Sequence, residues 1–260
     1  MALVALCWAL PASTTGSLPS ASRARKSPAR PSLTPTPTPA ATNVEVVGLG
    51  DSVMAGTQCG CDGIPNALAK DLKTRDAVST HATNLGQAGY RTGDVLDDLT
   101  NDRGTRSEVA KADVVVLIIG ANDLNGALNS WQSGGCDASC YSPAVTAMKA
   151  RLHSALAKIA QLEGDRRYWL LVDGYWNVFT DGSVAIRQGG NDQLTWSRAL
   201  TAEVNAAIKA ETEQAGGRYV DLTDTFADDP DLLLAEDGDH PNAEGVQAIA
   251  KANLDALPVR

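Results

Sequence analysis

Asp113-Val114-Val115-Val116-Leu117-Ile118-Ile119 runs directly into Gly120-Ala121-Asn122-Asp123. The first part is an unbroken, mostly β-branched apolar run. No polar residue alternates with it, so both of its faces are expected to be covered, as in the central strand of a parallel sheet. The second part is small and polar. It falls at the carboxyl end of that strand, where open α/β sheets bind ligands.

Working outward from this strand, the chain alternates. Val44–Leu49, Val78–Asn84, Tyr168–Val172 and Arg218–Leu222 read as further strands. Ile64–Arg75 reads as a helix with Pro65 suited to its first turn. In Pro143–Glu163, the residues Val145, Met148, Leu152, Leu156 and Ile159 recur at helical spacing. Ser142 can cap that helix and Gly164 can end it. Asp192–Ala215, stopped by Gly216-Gly217, and Asn242–Leu257 are the remaining helices. Five strands alternating with helices predict one α/β domain with a mostly parallel sheet over residues 44–260.

The 260 residues carry a formal charge of −9. Charged residues make up 20% and hydrophobic ones 43%, which excludes a disordered acidic chain. There is no basic excess to neutralise phosphates, so nucleic acid is not an expected partner. No apolar run reaches the ~20 residues of a bilayer span. Residues 1–43 hold Arg23, Arg25, Lys26 and Arg30 and no acid, so residues 44–260 hold 18 bases against 31 acids, a charge of −13.

Met1–Leu10 is apolar and Pro11-Ala12-Ser13 follows, the pattern of a secretory leader remnant over residues 1–12, although no Lys or Arg precedes the run. Residues 13–43 read as an extended linker rich in Pro, Thr and Ser, including Pro35-Thr36-Pro37-Thr38-Pro39. Export also suits the cysteines. Cys7 leaves with the leader or serves as a lipid anchor, and Cys59, Cys61, Cys136 and Cys140 make two disulfides with three possible connectivities. Zinc is the rival reading, but C-x-C and C-x3-C are not the usual knuckle spacings. The expected chain is therefore extracellular or held at the cell surface.

Polar segments follow three strands: Gly50-Asp51-Ser52, Asn84-Leu85-Gly86 and Gly120-Ala121-Asn122-Asp123. Asp237-Gly238-Asp239-His240-Pro241-Asn242 precedes the last helix. Each alone is an ordinary turn or cap, and Gly86 alone could simply supply a positive φ. Together they hold every part of an acyl-transfer site. Ser52 is a nucleophile, His240 its base, and Asp237 an orienting carboxylate three residues before His240. The N–H groups of Ser52 and Gly86 and the Asn122 amide can donate to an oxyanion. Asp239 is the rival to Asp237. Asp123 is expected to brace the Asn122 loop, and His81 and His153 to be structural.

With these four ordered blocks over residues 50–242, the sequence resembles the SGNH hydrolase superfamily, also called GDSL esterases/lipases. Val53 stands where the family's Leu would be. The resemblance implies a flavodoxin-like three-layer α/β/α fold and ester hydrolysis without metal or other cofactor. It assigns Ser52, Asp237 and His240 to a catalytic triad, and Ser52, Gly86 and Asn122 to the oxyanion hole. Secreted actinobacterial members are a looser likeness. An α/β-hydrolase elbow needs Gly at position 54, where Met54 stands, and a Rossmann fingerprint needs Gly at 53, where Val53 stands.

If the resemblance holds, the two cysteine segments begin at one sheet edge. A Cys59–Cys61 bridge would close a very small ring, so cross-pairing of the two segments is the expectation. Trp131, Tyr141, Tyr175, Trp176 and Phe179 lie in candidate loops, and residues 175–190 are expected to form one wall of a pocket. The expected partner is a small-molecule or polymer-linked ester, on a monomer, with short acyl esters ahead of long triglycerides because no long apolar lid is evident. Carbohydrate O-deacetylation and a non-catalytic wall- or carbohydrate-binding module are the alternatives.

Overall fold

The computed structural model describes residues 43–259. The expected leader, Cys7 and all but Asn43 of the expected linker lie outside the described residues.

Five strands, β1 (Asn43–Gly50), β2 (Ser79–Asn84), β3 (Val114–Ile118), β4 (Trp169–Asp173) and β5 (Arg218–Val220), form one sheet in the order β2-β1-β3-β4-β5. Every pairing is parallel. This is the doubly wound α/β architecture the sequence predicts. All of β3 is buried, as its unbroken apolar run requires. The strand order reverses between β1 and β3, which creates a crevice at their carboxyl ends. The segments carrying Ser52 and Asn122 leave those two strands.

Short helix α1 (Ser52–Ala55) follows β1, and α2 (Ile64–Asp76) follows it. α3 (Thr92–Asn101) and α4 (Arg103–Val109) join β2 to β3, and α5 (Asn125–Gln132) and α6 (Ala138–Glu163) join β3 to β4. α7 (Gly182–Gln214) links β4 to β5, and α8 (Pro230–Leu233) and α9 (Ala243–Ala256) complete the chain. α2 packs on α9 on one side of the sheet, while α3, α6 and α7 pack in series on the other. No helix among the described residues is long and apolar enough to cross a membrane.

Three local expectations change. α6 begins at Ala138, before Pro143, because Asp137 caps it by accepting the Cys140 N–H. Ser142 is therefore inside the helix, and its hydroxyl donates to Glu203. α7 begins ten residues before Asp192 and breaks at Gly190, whose φ of +70° no interior helical residue adopts.

The third change is the cysteine pairing. Cys59 bonds to Cys61 and Cys136 to Cys140, not across the two segments. The left-handed Gln58 turns the chain after α1, and the Cα atoms of Cys59 and Cys61 come to 5.2 Å. Cys136 and Cys140 stand across the first turn of α6, also 5.2 Å apart. Both spacings are within disulfide reach, so local backbone geometry satisfies each pair separately.

Candidate active site

Asp51 ends the turn after β1 and caps α1. Its carboxylate accepts the Val53 N–H at 3.0 Å. This places Ser52 at the first position of the helix, where backbone N–H groups lack intrahelical partners. Asp51 itself is buried, and burial pushes its carboxyl up to about 6. The Tyr175 hydroxyl donates to its other oxygen at 2.5 Å, opposing that rise. The same hydroxyl accepts the Ala121 N–H at 3.3 Å. Tyr175 is fixed in turn by Asn205, which bonds both its N–H and its carbonyl. One buried phenol thus joins the turn after β1 to the turn after β3.

Asn122 follows Ala121 in that second turn. Its side-chain amide gives one hydrogen to the Tyr90 carbonyl at 2.9 Å and keeps a second. Asp123 is turned from the cavity. It accepts the Thr92 N–H and hydroxyl and pairs with Arg151, so it braces the Asn122 loop.

His240 sits just before α9, and its Nδ1–H donates to Asp237 Oδ2 at 2.7 Å. Asp237 Oδ1 accepts the backbone N–H groups of Asp239 and His240, each at 3.0 Å. Burial alone would raise the Asp237 carboxyl, but these N–H groups and the imidazole hold it below the usual range. Asp239 makes no hydrogen bond to the ring among the described residues. Burial raises its carboxyl, the imidazole's charge lowers it in part, and Asp237 beside it adds to the rise. Of the two candidates, Asp237 is the one in hydrogen-bond contact with the imidazole. The loop is held from outside by Asp181, whose N–H donates to the Gly238 carbonyl at 2.8 Å.

Ser52, Asn122 and His240 line one cavity of about 180 Å³. Gly86 does not line it. Its N–H donates to the Asn84 side chain at 3.0 Å. Nor does Gly86 have a positive φ. It is glycine because a Cβ would stand 2.4 Å from the Ala55 nitrogen, so the loop after β2 can close against the end of α1 only without a side chain. His81 and His153 are remote from the cavity, bonded to Glu45 and Glu211 respectively.

Residues 175–180 and Gln188 form one wall of the cavity, within the stretch the sequence singled out. Trp131 and Tyr141 lie behind it, against Trp196, which also stacks on Phe179. Sequence reasoning missed three further carboxamides on the lining: Asn125, Gln132 and Gln193. Asn125, Leu128 and Gln132 are spaced as one face of a helix, a signal readable directly after Asp123. Gln193 is only 6% exposed as a residue, and its side-chain amide faces the cavity.

A serine and a carboxylate-held histidine thus share one cavity at the switch point of a parallel sheet, where such folds bind ligands. The chain belongs to the GDSL-like Lipase/Acylhydrolase family, whose pattern it matches over residues 49–248. It is accordingly a carboxylic ester hydrolase. Among solved structures, the lipase Lip_vut3 from a goat rumen metagenome is similar. It superposes with a TM-score of 0.69 at 19% identity, covering 84% of this chain and 99% of the lipase. Axe2, an acetylxylan esterase from Geobacillus stearothermophilus, superposes with a TM-score of 0.58 at 17% identity, covering 84% and 96%. At these identities the likeness is one of fold. No curated protein matches the chain.

Proposed function

We propose that Ser52 is the nucleophile of an exported esterase and passes through an acyl-enzyme. Ser52 Oγ attacks the ester carbonyl while His240 Nε2 takes its proton. Asp237 holds the imidazole in the tautomer with Nδ1–H and stabilises its cation. The oxyanion is received by the Ser52 N–H and the free Asn122 amide hydrogen. Gly86 N–H would join them by exchanging its Asn84 partner. His240 then returns the proton to the leaving alcohol, and water repeats the cycle on the acyl group. The observation that carries this reading is the 2.7 Å bond between His240 and Asp237 on the wall of the cavity that Ser52 also lines. The two cysteine pairs support export.

A cavity of about 180 Å³ is below the ~300–1,000 Å³ of pockets that engulf drug-sized ligands, which favours a short acyl group. Gln193 favours a second reading, deacetylation of a carbohydrate. An alkyl chain seated against this amide would strip its solvation without replacing it, whereas a hydroxylated ring would supply hydrogen bonds.

Both readings are tested by turnover of p-nitrophenyl acetate, butyrate and palmitate and of acetylated xylan. The wild type should prefer acetate to palmitate. Ser52→Ala should lose at least about 10³-fold in kcat on every ester. Undiminished hydrolysis by Ser52→Ala would reject the nucleophile. Release of acetate from xylan more efficient than from p-nitrophenyl acetate would favour the carbohydrate reading.

A further inference from the structure

A second chamber of about 260 Å³ lies between α7 and the turn at residues 224–226. Among the described residues, Trp176 alone lines both this chamber and the cavity holding Ser52. Its indole is 5% exposed and lies flat on Phe226, with ring centroids 4.1 Å apart. Its Nε1–H is buried and has no hydrogen-bond partner among the described residues. Buried Trp N–H groups usually find an acceptor. This ring is held by apolar packing and stacking, so no hydrogen bond must break for it to move.

The chemistry of the chamber differs from that of the cavity. Most of its polar side chains are already occupied. Asn205 spends both ends of its amide on Tyr175. The Thr201 hydroxyl accepts the Val178 N–H and donates to the Ser197 carbonyl. Asp181 pairs with Arg198, whose side chain stays half-exposed at the mouth. What it still offers is the Trp176 and Phe226 rings, the methyls of Ala202 and Ala227, and only two open polar groups, the Thr223 hydroxyl and the Trp176 Nε1–H. A hydroxylated ligand gains few hydrogen bonds there, whereas an alkyl chain forfeits none.

We propose that Trp176 is the acyl-length stop of this enzyme, and that the chamber behind it accepts a medium-length alkyl chain when the indole is displaced or removed. This rests on the reading that esters are cleaved at Ser52. Phe226 acts as the positioning residue that keeps the indole in place.

The test is the ratio of kcat/KM for p-nitrophenyl octanoate to that for the acetate. Trp176→Ala should raise the ratio at least about tenfold, because each methylene seated in an apolar pocket discriminates by that order. Adding Ala202→Phe, which fills the chamber, should return the ratio toward wild type. An unchanged ratio in folded Trp176→Ala, or an increase that survives Ala202→Phe, overturns the proposal. Should Trp176→Ala not fold, Phe226→Ala decides: the ratio should rise, and an unchanged ratio overturns the proposal. Ser52→Ala in the same background keeps the two claims apart. Octanoate turnover that persists without Ser52 defeats the nucleophile assignment, whereas Ser52-dependent turnover with an unmoved ratio defeats only the length stop.

Discussion

The Tyr175 hydroxyl has two partners 70 residues apart in the chain, Asp51 and Ala121, and each precedes a proposed catalytic group. Removing that one oxygen leaves ring packing intact but uncouples the Ser52 turn from the Asn122 turn. Tyr175→Phe should therefore lower kcat by about tenfold to a hundredfold, the cost of slight misplacement, with KM nearly unchanged. Steady-state kinetics on p-nitrophenyl acetate would show this. A rise in KM alone, with kcat at the wild-type value, would contradict the link. Ser52, Asn122 and His240 were legible in the sequence because each sits in a short polar block at a strand end or helix start, where residue type and position suffice. The phenol link was not, because hydrogen bonds between distant turns leave no local pattern. Gln193 was hidden for a related reason: its cavity-facing position depends on the break in α7 at Gly190.

At the scale of elements, the strands were read closely because each is a short apolar run bounded by turn residues. The start of α6 was missed because Pro143 reads as a first-turn residue, while Asp137 provides the stronger cap upstream. The cysteine pairs were misjudged because a left-handed residue and a helix turn, neither visible in spacing alone, bring each pair together. One strand–helix contact carries a testable charge. Asp173, at the end of β4, accepts a hydrogen bond from Asn253 of α9 and is otherwise sealed from solvent. Burial raises its carboxyl from 3.8 to about 7, the Asn253 bond opposing. The folded chain therefore binds this proton more tightly than the unfolded chain. Its contribution to stability is full below about pH 4 and declines as pH rises toward 7, by up to about 1.4 kcal/mol per unit. Asp51 acts in the same direction over a narrower window. Asp173→Asn removes the buried charge and keeps an oxygen acceptor for the Asn253 amide. Thermal unfolding should show the variant more stable than wild type at pH 8, with the difference shrinking toward pH 4. A variant less stable than wild type at pH 8 would contradict this.

For the whole molecule, the sheet order brings residues from positions 52, 122 and 240 to one crevice. The fold class followed from a single unbroken apolar strand and the alternation around it. Residues 44–260 carry a charge of −13, and Asp51 and Asp239 stand on the cavity's own lining, which disfavours strongly anionic esters. The central claim, that Ser52 carries the acyl group, is tested most directly by reacting the protein with an alkyl fluorophosphonate and mapping the adduct by peptide mass. The account predicts one adduct, on the peptide containing Ser52, formed in step with loss of esterase activity and absent from Ser52→Ala. Full inactivation with the adduct on another residue, or with Ser52 unmodified, would contradict it.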